Sequence, residues 1–231
     1  MVTVALIGAD GAGKTTVARR LEAETSLPIK YIYMGANPEA SNHTLPTTRL
    51  VQAAKRWLGK ETHAGGPPDR ERRKAQERRR ANRVLSRIKS GVRLVNQVGE
   101  EWYRQWLAWY YQRRGYVVLF DRHFYSDYYA HDISDEEQGQ PLSRRIHGFM
   151  LNKFYPRPDL VILLDASAAI LFARKGEGSV DLIEQRRQEY FQLRDLVPHF
   201  AVVDVAQTLD SVTDEVLSTI CRFREGGEAL Q

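Results

Sequence analysis

Gly8-Ala9-Asp10-Gly11-Ala12-Gly13-Lys14-Thr15-Thr16 follows directly on the apolar run Val2-Thr3-Val4-Ala5-Leu6-Ile7. The spacing is G-x-x-x-x-G-K-[ST], that of a phosphate-binding loop, and the context suits the chemistry. A β-branched run leads in, and Val17 to Ala23 leads out with helical patterning. Glycines at these places let backbone N–H groups crowd around a polyphosphate. A helix starting near Lys14 turns its positive end toward the same anion. Lys14 has the reach for β- and γ-phosphates, and the Thr15 hydroxyl suits Mg²⁺. Gly8, Ala9, Asp10, Gly11, Ala12, Gly13, Lys14, Thr15 and Thr16 are therefore the expected ATP-binding stretch, with ATP and Mg²⁺ as the expected cofactors. A dinucleotide-binding loop has no fixed Lys-Thr pair and is set aside.

Outward from the loop, strands alternate with helices. The expected strands after the first are 29–34, 116–120, 160–164 and 201–205; the later ones are short apolar runs of the buried parallel kind. Helices are expected over 47–58, 124–130, 142–154, 166–173, 181–196 and 210–223. Between 75 and 114 the spacing predicts a long helix or a helical pair, interrupted near Gly91 or Gly99. Its aromatic stretch (Trp102, Tyr103, Trp106, Trp109, Tyr110 and Tyr111) is expected to pack on the sheet. The alternation implies one parallel sheet covered on both faces. Such sheets bind ligands outside the carboxyl ends of their strands, and the loop, Asp121-Arg122 and Asp165 all fall at such ends.

The 231 residues are enough for a single domain with a sizeable core. The lone Cys221 excludes an internal disulfide framework and a cysteine-rich zinc site, which fits a cytoplasmic protein. The first residues lack the shape of a secretory signal, and no apolar run reaches membrane-spanning length. Charge is unevenly placed. Residues 69–93 hold eleven bases and three acids, a surplus of eight positive charges, whereas the whole chain carries +5, so the remainder stands at −3. The plain reading of this segment is a solvated helix face. A nucleic-acid or anionic-membrane patch, or a grip on an acidic acceptor, are the functional alternatives.

With these residues in view, the chain resembles the thymidylate kinases and their relatives among P-loop nucleoside and nucleotide kinases. The resemblance rests on the acidic residue inside the phosphate loop, then Phe120-Asp121-Arg122-His123-Phe124-Tyr125-Ser126, then Pro158-Asp159-Leu160 through Asp165. It continues with Arg174-Lys175-Gly176-Glu177 and the helix after it, and closes with Val202-Val203-Asp204-Val205-Ala206-Gln207. It implies a three-layer α/β P-loop kinase fold over 1–231 with a five-stranded parallel sheet, a basic helical insertion at 60–100 and a lid at 174–180. It implies an ATP-Mg²⁺-dependent phosphotransferase acting on a small molecule, a nucleoside monophosphate being favoured. Lys14, Asp121, Arg122, Arg174 and Asp10 would be the catalytic set, with Thr15 and Asp121 at the metal. Arg174 and Lys175 would bring positive charge onto the γ-phosphate. Asp10, Arg104, Arg122, Tyr125 and Ser126 would face the acceptor, and a homodimer is in keeping with the family.

The chain also departs from the family. Met34-Gly35-Ala36-Asn37-Pro38-Glu39 stands where thymidylate kinases have Arg-Glu-Pro-Gly. Glu100 falls near the place of the family's acceptor-phosphate arginine, with Arg104 one turn on. A kinase of a nucleoside- or sugar-like hydroxyl is therefore the second reading, with Asp10 or Asp121 as candidate base. An ATP-switched nucleic-acid-binding protein is the third.

Overall fold

The structure is a computed structural model; it describes residues 2–34, 83–123, 155–176 and 179–226, with side chains from residue 98 onward in the second block. Five strands form one sheet: β1 (Thr3–Ile7), β2 (Ile29–Tyr33), β3 (Val117–Asp121), β4 (Leu160–Asp165) and β5 (Phe200–Asp204). Their order is β2-β3-β1-β4-β5, and every neighbouring pair is parallel. The helices are α1 (Lys14–Glu24), α2 (Arg83–Arg113), α3 (Ala168–Lys175), α4 (Val180–Gln192) and α5 (Leu209–Arg224), with a 3-10 turn at Leu193–Leu196.

Period-two alternation sends the strand residues to opposite faces. Val4 and Leu6 of β1 join one core cluster with Val17 and Leu21 of α1 and Val212, Val216 and Ile220 of α5. Ala5 and Ile7 join the other, with Leu107 and Ala108 of α2 and Tyr190 of α4. All five residues of β1 are buried, as the central strand of such a sheet must be. The three-layer α/β fold expected from the sequence is thus present. β1 lies between β3 and β4, so the loop leaving β1 emerges beside the carboxyl ends of both.

Several elements differ from the sequence expectation. The basic segment and the aromatic stretch share one helix: α2 runs 31 residues through Gly91 and Gly99 without a break. A mid-helix glycine costs about 1 kcal/mol against alanine, which a helix packed on a sheet can absorb. The described part of the 60–100 insertion is therefore the front of this core helix. The aromatics divide between two faces. Tyr103 and Tyr111 lie against the core, whereas Trp102, Trp106 and Trp109, at i, i+4 and i+7, are 44%, 54% and 47% exposed. The sheet-facing stripe is instead Glu100, Glu101, Arg104, Leu107 and Ala108. α3 extends two residues past the expected stop, so Arg174 and Lys175 are helical; Gly176, at φ 69°, ends it by donating its N–H to Phe172 O. The helices expected at 47–58, 124–130 and 142–154, and most of residues 69–93, lie outside the described residues.

Candidate active site

The loop after β1 is built on three glycines with positive φ: Gly8 (144°), Gly11 (92°) and Gly13 (78°). Two of them are also needed for close packing. A Cβ on Gly8 would lie 2.4 Å from the Leu164 carbonyl oxygen of β4, and one on Gly11 would lie 2.4 Å from the Leu171 carbonyl oxygen of α3. The loop is wedged between a strand and the helix that carries Lys175. Gly13 caps the start of α1. Lys14 is buried and folds back over the loop, its Nζ donating to Gly8 O at 2.7 Å and Ala9 O at 3.0 Å. Its ammonium is thus held against the backbone of the loop. Thr16 begins the exposed side of α1.

Thr15 joins the loop to β3. Its Oγ1 donates to Asp121 Oδ2 at 2.5 Å, and the Tyr31 hydroxyl of β2 donates to the same oxygen at 3.2 Å. Asp121 is fully buried, and its other oxygen, Oδ1, has no hydrogen-bond partner among the described residues. An uncompensated buried carboxylate oxygen is costly, and a hydrated cation beside Thr15 would satisfy it. Among the described residues no group of three or more His, Cys, Asp or Glu forms a metal cage. Mg²⁺ asks for no such cage: it binds through one or two protein oxygens together with substrate phosphates and water. The Thr15–Asp121 pair therefore fits it. Burial pushes the Tyr31 hydroxyl pKa well above its usual value, and the Asp121 charge adds to that, so Tyr31 remains a donor.

Arg122 follows Asp121 in the left-handed region, at φ 61°, where a non-glycine residue is strained. The turn aims its guanidinium back at the loop: Nη2 lies 2.7 Å from Asp10 Oδ1. Arg186 of α4 reaches the other oxygen, Nη1 to Oδ2 at 2.8 Å, and Lys175 of α3 stands 3.5 Å from Oδ1. Burial works upward on the Asp10 carboxyl. The charges of Arg122, Lys14, Lys175 and Arg186 outweigh it and hold the pKa down at about 2. A carboxylate held so far below neutrality is a weak base, which bears on the place of Asp10 as one of the two candidate bases.

Arg174 and Lys175, coupled in the sequence reading, point to different places. Lys175 faces the loop, whereas Arg174 donates through Nη2 to Val205 O, just beyond β5, at 2.7 Å. Arg104 lies deeper than an open acceptor contact: it is 4% exposed, with Nη2 3.7 Å from Glu100 Oε2. Burial lowers its pKa, and the Glu100 charge works against the fall. Beside it the Tyr155 hydroxyl donates to Glu101 O at 2.9 Å, and the fully buried His123 sets its ring edge-on to Phe120 and Tyr155. Tyr125 and Ser126 lie outside the described residues.

Sequence reasoning missed two arginines on α4 and the hydroxyl of Tyr31. Arg187 grips Asp165 with two bonds, Nε to Oδ1 and Nη2 to Oδ2, both 2.7 Å, and also reaches Glu184. These bonds, the first of them to Asp165, raise its pKa above the usual arginine value. The Ser179 hydroxyl caps the same helix by accepting from Leu182 N. The available signal was positional: α4 begins directly after the expected lid, so its early turns must lie near the site edge.

No family model matches this chain. A probable thymidylate kinase of Staphylothermus marinus is 32% identical over 114 residues, which is 46% of this chain and 53% of that protein. The chain thus spans about half the length of that relative. Among solved structures, the thymidylate kinase of Candida albicans superposes with a TM-score of 0.58 at 19% identity, covering 96% of this chain and 92% of that one. Over part of its length the sequence is thus similar to that of a thymidylate kinase, and the fold resembles that of another.

Proposed function

We propose that the chain is an ATP-Mg²⁺-dependent phosphotransferase that moves the γ-phosphate to a small-molecule acceptor, a nucleoside monophosphate. One observation carries the reading. A phosphate loop, a metal-suited Thr15–Asp121 pair and the basic groups of Lys14, Arg122 and Lys175 meet at one edge of the sheet. Phosphoryl transfer needs little covalent work from a protein; it needs in-line positioning and compensation of charge. The loop amides and Lys14 would hold the β- and γ-phosphates. Thr15 and Asp121 would hold Mg²⁺, which would supply charge neutralisation. Arg122, aimed back at the loop from the end of β3, would bind the phosphate in transit. Arg174 would serve the base end of ATP, because it is tied to the loop after β5. The Staphylothermus and Candida proteins are thymidylate kinases by name, which supports a nucleotide acceptor.

A second reading, a kinase of a hydroxyl, is favoured by the α2 stripe. Glu100 and Glu101 are both buried there, and Arg104 is already engaged by Glu100. Two acids against one base form a poor seat for a phosphate dianion. In that case Asp121 would be the candidate base.

The test is a coupled ADP-release screen over nucleosides, their monophosphates, sugars and amino-sugars. Transfer should be Mg²⁺-dependent, should be fastest with a nucleoside monophosphate, and should fall by a factor on the order of 10² or more in Lys14→Ala. If no acceptor raises ADP release above background, and Lys14→Ala binds ATP as the wild type does, the reading is wrong.

A further inference from the structure

We propose that the outward face of α2 lays the protein on an anionic lipid surface, whatever the acceptor of the phosphoryl group. Trp102, Trp106 and Trp109 are the most exposed large apolar side chains among the described residues. They lie on the side of the helix opposite Glu100, Arg104 and Leu107, which face the sheet. Stepping back from Trp102 by threes and fours, the same line of the helix passes Val98, Val95, Gly91, Ile88 and Val84. By position, then, an uncharged line runs the length of this helix on the side turned away from the sheet.

Charge decides what such a face would meet. α2 carries six bases and two acids, and both acids, Glu100 and Glu101, are buried. The outward side therefore shows apolar and cationic groups without a carboxylate. At its carboxyl end Arg113 stands 4.0 Å over the Trp109 ring and Arg114 4.6 Å over that of Tyr110, both arginines exposed. At its front, residues 69–93 bring a surplus of eight positive charges. A tryptophan-bearing apolar stripe beside basic residues suits the plane between headgroups and acyl chains. Among the described residues no helix is long and apolar enough to cross a membrane, so α2 would lie along the surface. A second copy fits less well: pairing two such faces gathers like charges, and helical seams favour Leu, Ile and Val. Nucleic acid also fits less well, because bases stack on open rings. Trp106 stacks near-parallel with Tyr103 on one side and Tyr110 on the other, at 19° and 21°, and Arg113 covers a face of Trp109.

The test is co-sedimentation of the full chain with vesicles of phosphatidylcholine alone and of equal parts phosphatidylcholine and phosphatidylglycerol. A Trp57→Phe background leaves the three α2 indoles as the tryptophan reporters. Binding to the anionic vesicles should be at least roughly tenfold the tighter and should weaken with salt. Tryptophan emission should shift to shorter wavelength, and brominated acyl chains should quench it. Trp106→Gln should lose affinity by a factor on the order of ten. Arg113→Gln and Arg114→Gln should each lose about fivefold, whereas the exposed Arg194→Gln, on another element, should match the wild type. Thermal melting of each variant reports its folding. Absence of binding to the anionic vesicles overturns the proposal. So does binding without a spectral shift, binding that Trp106→Gln leaves unchanged, or an equal loss in Arg194→Gln, which is what net charge alone would give. A dimer in the ultracentrifuge that Trp106→Gln disperses, in a protein that ignores vesicles, overturns it in favour of a second copy. Single-stranded oligonucleotide binding lost in Trp106→Gln, again without vesicle binding, overturns it in favour of nucleic acid.

Discussion

At the scale of single residues, the three loop glycines answer different demands. Gly8 and Gly11 have no room for a Cβ: each would press a methyl to 2.4 Å from a backbone carbonyl oxygen, which no rotamer change relieves. Gly13 meets nothing within 4 Å and needs only its positive φ. Gly8→Ala and Gly11→Ala should therefore each cost roughly 2–3 kcal/mol and abolish ATP binding, because the strand or α3 must shift. Gly13→Ala should cost about 1–2 kcal/mol, the left-handed penalty alone. Urea unfolding of the three variants checks the ranking; equal costs would show that φ, and not packing, governs the loop. The same scale shows what a motif conveys. Lys14, Thr15 and the glycines were legible because their chemistry needs fixed local spacing. Tyr31 was not: its hydroxyl meets Asp121 across 90 residues, and nothing local marks it.

Among the elements, the strands were the most legible. A run such as Leu160 to Leu164 has no polar position to spare, and only a strand buried on both faces tolerates that. Helix α2 was read less well, for a physical reason. Trp102, Trp106 and Trp109 are apolar by composition, so periodicity assigned them inward, whereas the inward stripe is Glu100, Glu101 and Arg104. Charged residues occupy part of the buried face of that helix, which a search for apolar periodicity passes over. Helix α4 gives the reverse case. Its apolar marks are sparse, Ile183 and Tyr190 being its buried residues, and its placement depends on the Arg187–Asp165 pair. Replacing Arg187 with Met keeps the length of the side chain and removes the anchor. The variant should lose roughly 1–3 kcal/mol, and amide exchange should rise through Val180–Gln192 while β1 and β3 stay protected. Uniform exchange along α4 in both proteins would show that packing alone seats it.

Over the whole molecule, the acid limit of stability should be set by one imidazole. His123 lies 1% exposed between the sheet and Tyr155, and burial pushes its pKa down from 6.5 to about 3. The folded protein keeps this ring neutral, and the unfolded chain protonates it at its ordinary value. Stability from His123 is thus complete above about pH 6.5 and drains away as pH falls toward 3, because only the unfolded state gains the proton. Between pH 7 and pH 5 that linkage amounts to about 2 kcal/mol. Asp10 acts in a separate window: its carboxyl, held at about 2 against the usual 3.8, contributes stability that is present above 3.8 and lost only as pH falls through 2. The two effects can therefore be told apart. Urea unfolding at pH 7 and pH 5 should show the wild type losing about 2 kcal/mol. His123→Phe, which keeps an aromatic ring against Phe120 and Tyr155, should lose little over the same interval. Parallel losses in the two proteins would place the acid sensitivity elsewhere. A flat response in both would mean that the buried ring takes up its proton within the folded state.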